Sequence, residues 1–344
     1  MRRTFLKTAA AALLATAAFG TGPAAAQSAA DYYKGNTINF IVPYNPGGGY
    51  DEYARMIAPY LEKYTGARVD IKNVPGSGGM KGAVEIFNAP ADGTYIGIIN
   101  GSAMVTNQLA EIEGANYKVG QYNYLGRIVA DQRVLVAASN SGIKSFKDMM
   151  AATAPTVVGA TGLGGSTYVD AVISGKVFNL DQKVVHGFDR SGDIRTAMLR
   201  GDVDVMWGSL GSALDGITAG DHKPILTDQE NPEGALAGVP SVYDVAKTLP
   251  DADHAMKVLD AWASLSAVGR PVAAPPGVPD DRMAFLRDAF DKAMRDPDFV
   301  KTAADNKREL LYASGDQMAK IAKSATELDP DIKALFVAAI RGEI

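Results

Sequence analysis

Residues 39–57 read NFIVPYNPGGGYDEYARMI. An apolar run typical of a β-strand reaches a proline, three glycines follow Pro46, and a helical pattern of apolar residues begins. The turn carries no nucleophile, no lysine and no metal ligand. The first N–H groups of a helix lack partners inside it and lie at the positive end of its dipole, so this turn predicts an anion site made of main chain. The alternative is that glycine merely closes a tight connection.

Two further glycine-rich turns follow strand-like runs and open helical patterns. They read Pro75-Gly76-Ser77-Gly78-Gly79 and Gly162-Leu163-Gly164-Gly165-Ser166. In open α/β sheets, ligands bind beyond the carboxyl ends of the strands, where such turns lie. Two of these turns facing each other could hold a small carboxylate without any arginine side chain.

The first 26 residues are typical of an export signal. A basic start, a weakly apolar stretch and a small-residue cleavage site follow one another, at Arg2-Arg3, residues 8–20 and Ala24-Ala25-Ala26. The paired arginines predict a twin-arginine signal, and the alternative is a general secretory signal. We therefore exclude residues 1–26 from the fold and expect a periplasmic protein, cleaved near Ala26, that does not itself span a membrane.

Composition limits both the fold and the partners. The chain has no cysteine, so its core must hold without disulfides, and its 344 residues are enough for two domains. Without Arg2, Arg3 and Lys7, 31 basic side chains remain against 39 acidic ones, a formal net charge of −8. This acidic balance argues against nucleic acid as a partner. We expect a monomer.

Alternation of strand-like and helical patterns predicts an α/β fold with mostly parallel sheets. Val- and Ile-rich runs recur at Thr37–Val42, Arg68–Lys72, Tyr95–Ile99, Arg133–Ala137, Thr156–Gly159, Lys183–His186 and Asp202–Trp207. Residues 280–344 are almost entirely helical in pattern.

Enzyme signatures are weak throughout the chain. The turn at 162–167 ends in Thr167, where a dinucleotide fingerprint requires Gly or Ala. Ser77 imitates a nucleophile elbow, but Pro75 stands where glycine is needed. The three histidines are scattered without metal-ligand spacing. We therefore expect no catalysis, no cofactor and no metal. A nucleotide-using α/β enzyme and a ligand sensor for a signalling partner remain the alternatives.

Three motifs together resemble the receptors of tripartite tricarboxylate transporters, the Bug-type periplasmic binding proteins. They are Ile41–Asp51 with Arg55 following, Lys72–Gly79 and Ala89–Tyr95. The resemblance implies a two-lobed, type II-like α/β fold in which each lobe is a mixed sheet flanked by helices and two strands cross between lobes. It also implies a non-catalytic receptor that delivers a small organic acid to membrane permease subunits.

The resemblance also implies lobe boundaries. The first lobe would comprise residues 31–128 and 262–344, and the second residues 129–261. The crossing strands would lie near Tyr124–Ala130 and Trp262–Val268.

Carried over by position, the resemblance implies ligand contacts from the three turns: Tyr44, Asn45, Gly47, Gly48, Gly49, Asn73, Gly76, Ser77, Gly78, Thr161, Gly162, Gly164, Ser166 and Thr167. Asp51 matches the family's acidic residue, which we interpret as a helix cap.

The chain departs from the family pattern at residues 185–192, so the identity of the ligand does not transfer. We hypothesise that Arg190 clamps a second carboxylate, the alternative being a surface pair with Asp189 or Asp193. Phe188 could sandwich an aromatic acid together with nearby aromatic residues, namely Tyr44, Tyr50 and Trp207, or these rings could line the hinge core. The expected ligand is therefore a di-, tri- or aromatic carboxylate.

Overall fold

The computed structural model describes residues 28–343, so the predicted export signal at residues 1–26 lies outside the described residues. The strands in this range are β1 Thr37–Val42, β2 Arg68–Asn73, β3 Tyr95–Ile98, β4 Asn123–Arg127, β5 Arg133–Ala138, β6 Thr156–Gly159, β7 Gln182–Val185, β8 Val205–Ser209, β9 His222–Thr227, β10 Pro271–Ala274 and β11 Ala313–Ser314. The helices are α1 Ala29–Tyr33, α2 Gly49–Thr65, α3 Met80–Phe87, α4 Gly101–Leu109, α5 Phe146–Met150, α6 Ser166–Val177, α7 Ser191–Arg200, α8 Leu210–Ala219, α9 Val242–Ala246, α10 Ala252–Val268, α11 Asp280–Arg295, α12 Pro297–Asp305, α13 Gly315–Ser324 and α14 Pro330–Arg341.

Two mixed sheets flanked by helices form the two lobes. The sheet of the first lobe has the order β11-β4-β10-β3-β1-β2, and the sheet of the second lobe has the order β7-β6-β8-β5-β9. Strands β1 to β3 pair in parallel, as do β6 to β8. The central strands β1 and β3 are almost continuously apolar and buried, as expected of strands covered on both faces.

The prediction of mostly parallel sheets was wrong. Antiparallel pairings connect β10 to β3 and β4, β11 to β4, and β5 to β8 and β9. Strands β5 and β10 are the first strands after each passage of the chain between the lobes, and the simple alternation of strand and helix patterns does not reveal that reversal.

The chain crosses between the lobes twice, through two adjacent segments. Strand β4 leads through residues 128–132 into β5, and helix α10 leads through Gly269 and Arg270 into β10. The two segments hydrogen-bond to each other, because the Ile128 N–H donates to the Arg270 carbonyl (3.1 Å) and the Arg270 N–H donates to the Val129 carbonyl (2.9 Å). The predicted crossing strand at 262–268 was wrong, since these residues end helix α10 and bury Trp262, Leu265 and Val268 at helical spacing.

Helices α10 and α14 connect the lobes. Each packs against α4, which follows the first sheet's β3, and against α6, which follows the second sheet's β6. One apolar cluster runs through both sheets and includes Trp207, Trp262 and Phe336, all buried. Among residues 28–343, no helix is both long and apolar enough to cross a bilayer.

Candidate functional site

A cavity of about 260 Å³ lies between the two lobes. Most of its lining comes from the turns that follow β1 and β3 in the first lobe and β6, β7 and β8 in the second. These turns stand at the carboxyl ends of the strands, where α/β sheets place their ligands. The cavity is therefore the candidate binding site.

The first glycine turn is fixed by Asp51. Gly48 is the N-cap of α2, and Asp51 lies in the first helical turn, where its carboxylate accepts from the Gly47 N–H (2.9 Å), from Arg55 (2.8 Å) and from Asn73 (2.9 Å). Burial opposes the charged form, but these three donors together lower the pKa of Asp51. Asp51 therefore holds the turn through Gly47 without being the N-cap residue itself.

Helix N-termini converge on the cavity from both lobes. Helices α2, α4, α6, α7 and α8 each place a first-turn or cap residue in the lining, respectively Gly49, Asn100, Ser166, Ser191 and Ser212. The N-terminal end of a helix carries positive partial charge and unpaired N–H groups. Five such ends around one cavity favour an anionic occupant.

Two buried arginines also line the cavity, each at or next to the start of the first strand after a passage between the lobes. Arg133 begins β5 and pairs with Asp170, whose other oxygen accepts from the Trp262 indole (2.7 Å). Arg270 precedes β10 and donates to Asp131 (3.0 Å). Both arginines are 3% exposed. Burial opposes their charge, but the neighbouring carboxylates raise the pKa of each, so both remain cationic.

Each of these arginines keeps one group without a protein partner. Arg133 uses Nε and Nη2 on Asp170, and Arg270 uses Nε on Asp131 and Nη2 on the Ser209 hydroxyl (2.8 Å). Among residues 28–343, neither Nη1 group has a hydrogen-bond partner, and neither is sealed from solvent. Both groups are available to an occupant of the cavity.

Aromatic rings hold Arg270 in place. Its guanidinium lies 4.5 Å from the ring centre of Tyr50 and 5.0 Å from that of Tyr53. Gly49 lies against the same guanidinium, because a Cβ added at this position would be 2.9 Å from Arg270 Nη1. The φ of Gly49 is not in the left-handed region, so backbone conformation does not require glycine here. Glycine is needed because Arg270 lies so close to the start of α2.

Three more arginines line the cavity, namely Arg190, Arg195 and Arg308. Arg190 pairs with Asp193 (2.8 Å) and also donates to the Pro46 carbonyl of the first lobe (3.4 Å). Arg308 pairs with Glu52 (2.5 Å). Among the described residues, the guanidinium of Arg195 makes no hydrogen bond and no ion pair, and its Nη1 is buried without a partner. Burial lowers the pKa of Arg195.

The structure brings half of the predicted contact residues to the cavity. Those in the lining are Tyr44, Gly47, Gly48, Gly49, Thr161, Ser166, Thr167 and Arg190. Those outside it are Asn45, Asn73, Gly76, Ser77, Gly78, Gly162, Gly164 and Phe188.

The second glycine turn contacts the third directly. A Cβ added at Gly78 would lie 3.4 Å from the Gly165 Cα, and Gly78 is held by the Tyr44 hydroxyl, which donates to its carbonyl (2.7 Å). Asn73 donates to the Tyr44 carbonyl (2.8 Å) as well as to Asp51. Glycine in these turns allows the two lobes to meet closely.

The aromatic residues divide between site and core. Tyr44 and Tyr50 line the cavity with ring centres 4.8 Å apart, and burial raises the pKa of Tyr44 to about 12. Phe188 packs against the apolar cluster of the second lobe. Trp207 is buried and packs edge-on against Trp262, so it belongs to the core.

A model of the tripartite tricarboxylate transporter family receptor matches residues 53–333. The chain belongs to this family. The match begins just after the first glycine turn, so the cavity residues Arg133 to Arg308 fall within it. The receptors of this family and their structural neighbours are substrate-binding proteins rather than enzymes, as the sequence predicted.

Relatives support the assignment along most of the chain. A protein encoded in the tcbD-tcbE intergenic region of Pseudomonas sp. strain P51 is 24% identical over 301 residues, 86% of this chain and 85% of the relative. BugT of Bordetella pertussis is 34% identical over 99 residues, 29% of this chain and 30% of the relative.

Solved structures share the fold. The periplasmic binding protein BugD superposes with a TM-score of 0.74 at 17% identity, over 89% of this chain and 98% of BugD. MatC of Rhodopseudomonas palustris with bound malate superposes with a TM-score of 0.69 at 19% identity, over 88% of this chain and 99% of MatC. Rpa4515 of R. palustris with adipate superposes with a TM-score of 0.73 at 17% identity, over 89% of this chain and 97% of Rpa4515. At these identities the likeness establishes the two-lobed fold and not the ligand.

Proposed function

We propose that this receptor captures a small organic carboxylate in the cavity between its lobes and releases it unchanged. The observation that carries the proposal is the pair Arg133 and Arg270. Each is buried, each is fixed by an aspartate, and each keeps its Nη1 group for an occupant. A carboxylate has two oxygens, and we propose that one carboxylate of the ligand accepts from both arginines.

The surrounding helix ends strengthen this anion site. A hydrogen bond to a charged group contributes about 1.5–3 kcal/mol, and a helix N-terminus adds roughly 0.3–1 kcal/mol. The arginines are already paired with aspartates and desolvated by the protein, so little reorganisation of these side chains is needed for binding. Binding therefore depends on buried arginines as well as on the main-chain donors that the sequence indicated.

The cavity limits the size of the ligand. Sites for drug-sized molecules occupy about 300–1,000 Å³, whereas this cavity has about 260 Å³. A small di- or tricarboxylate is in keeping with that size, as are the malate and adipate of the two R. palustris proteins. The adjacent rings of Tyr44 and Tyr50 would also accommodate a small aromatic acid against one wall.

Family membership supports delivery of the ligand to the permease subunits of a tripartite transporter, and it supports a periplasmic location. The export route can be tested through Arg2 and Arg3. Replacing both by lysine should block export if the twin-arginine pathway is used, and normal export would contradict that route.

A thermal-shift screen of di- and tricarboxylates, aromatic acids and amino acids tests the proposal. A ligand present at 100 times its Kd stabilises the native state by about 2.7 kcal/mol, so one or a few acids should raise the Tm clearly. A flat response to every carboxylate, with a shift caused by a nucleotide, would refute the proposed function.

A further inference from the structure

We propose that Arg195 is a specificity-determining residue that binds a second anionic group of the ligand, so that the receptor selects dicarboxylates over monocarboxylates of equal chain length. This inference rests on the proposed function and goes beyond it by naming the residue and the ligand class. It starts from a difference among the arginines of the cavity.

Four of the cavity arginines form ion pairs with carboxylates of the protein. The pairs are Arg133–Asp170, Arg190–Asp193, Arg270–Asp131 and Arg308–Glu52. The guanidinium of Arg195 makes no such pair among residues 28–343, although it is half-buried in the lining. A buried cationic donor without a partner is costly, and a ligand carboxylate can supply both acceptors of a bidentate pair.

The same comparison reassigns the role that the sequence suggested for Arg190. Two of its nitrogens donate to Asp193 and the third donates to the Pro46 carbonyl. A ligand would have to displace these partners. Arg195 lies on the same helix, α7, and has no comparable partner to displace.

One competing interpretation is that Arg195 serves Asp215, a cavity-lining carboxylate on α8 whose charge is the largest influence that raises the pKa of Arg195. Asp215 is exposed, and among the described residues no ion pair includes it. If the two residues act together on a zwitterion, removal of either charge must weaken binding. If Arg195 binds a second carboxylate, Asp215 only repels that group, and its neutralisation must strengthen binding.

Calorimetry with two matched pairs of probes, succinate against butyrate and adipate against hexanoate, separates these interpretations. Wild-type protein should bind the better dicarboxylate at least tenfold more tightly than its monocarboxylate. Arg195→Gln should lose about tenfold to a hundredfold in affinity for the dicarboxylate and less than threefold for the monocarboxylate, since hydrogen bonds to charged groups have that magnitude. Asp215→Asn should bind the dicarboxylate two- to fivefold more tightly.

Arg200→Gln is the matched control, because Arg200 ends the same helix, is exposed, and pairs with Asp202 outside the cavity. It should change neither affinity. Equal losses for both members of a probe pair in Arg195→Gln, or weaker dicarboxylate binding in Asp215→Asn, would overturn the assignment of Arg195. A wild-type preference for monocarboxylates would overturn it while leaving the proposed function intact, whereas wild-type protein that binds no carboxylate at all would overturn both.

Discussion

Replacing Arg270 by Met separates the structural role of this residue from its role in binding. Arg270 and Asp131 are each 3% exposed and pair at 3.0 Å. After the substitution, the Asp131 carboxylate would stay buried, and its one remaining side-chain hydrogen bond among residues 28–343 would come from the Tyr50 hydroxyl, 3.5 Å away. Removing one member of a buried ion pair costs about 3–5 kcal/mol. We expect a loss of this size in the free energy of unfolding.

The double variant Asp131→Asn/Arg270→Met removes the uncompensated charge as well. Replacing both members of a buried pair by neutral groups is often close to neutral, so most of the lost stability should return, to within about 1–2 kcal/mol of the wild type. Ligand affinity should not return, because the Nη1 donor is still missing. The expected deficit is about 10- to 150-fold, the equivalent of one charge-assisted hydrogen bond.

Urea denaturation gives the stabilities, and calorimetry with the tightest carboxylate of the thermal-shift screen gives the affinities. A double variant that is stable and binds as tightly as wild type would refute the argument that Arg270 contacts the ligand. A double variant as unstable as Arg270→Met would refute the argument that the pair, rather than the arginine alone, sets the cost.

Three further predictions concern the glycine turn before α2, its anchor Asp51 and the half-buried acid Asp228. Gly49→Ala would place a Cβ 2.9 Å from Arg270 Nη1 and 3.0 Å from Ser212 Oγ, so calorimetry should show about tenfold weaker binding, and unchanged affinity would contradict the close approach. Asp51→Ala should lower the free energy of unfolding by about 1–3 kcal/mol near neutral pH. Because the pKa of Asp51 is lowered on folding, the difference in free energy of unfolding between wild type and variant should shrink as the solution is acidified through the folded pKa. A difference that stays constant in urea titrations at low pH would argue against the lowered pKa. Burial raises the pKa of Asp228 to about 7, so the folded protein binds a proton that the unfolded chain releases above about pH 4, and stability falls as the pH rises from about 4 to about 7. Asp228→Asn should lack this decline. If the difference in free energy of unfolding between the variant and the wild type is the same at pH 5 and at pH 8, the raised pKa of Asp228 is ruled out.

Local signals in the sequence indicated much of the fold. The strand-like runs at Thr37–Val42 and Thr156–Gly159 agree with the bounds of β1 and β6, because Val and Ile cluster there and turn residues follow. The glycines before α2 indicated an anion-binding helix end, and the cavity lies at that place. Local sequence did not reveal the direction of β5 and β10, which depends on how the chain passes between lobes.

The buried arginines could not be located from the sequence with the same ease. Arg133 pairs with Asp170, 37 residues away in the sequence, and Arg270 pairs with Asp131, 139 residues away. Pairs so distant in the sequence produce no local sequence pattern. A weak signal was present, because each arginine stands directly beside an apolar strand, RVLVA at 133–137 and RPVAA at 270–274. A cation beside a buried strand requires a buried partner or a ligand. Both arginines have a buried aspartate as partner, and we propose that both also bind the ligand.

Glycine-rich turns have more than one use, and sequence alone does not separate those uses. The turn at Gly47–Gly49 lines the cavity, whereas the turn at Gly76–Gly79 meets residues 162–165 across the lobes. Both need a backbone without side chains, the first for the proposed anion and the second for close packing of main chain on main chain. Only the relative position of the lobes distinguishes them.

A crystal structure of the receptor grown with its tightest carboxylate is the most direct measurement. We predict that the acid lies intact between the lobes, with one carboxylate accepting from Nη1 of Arg133 and Nη1 of Arg270, beside the N-termini of α2 and α6. A ligand bound outside the cavity, or held there without either arginine, or found chemically converted, would contradict the account.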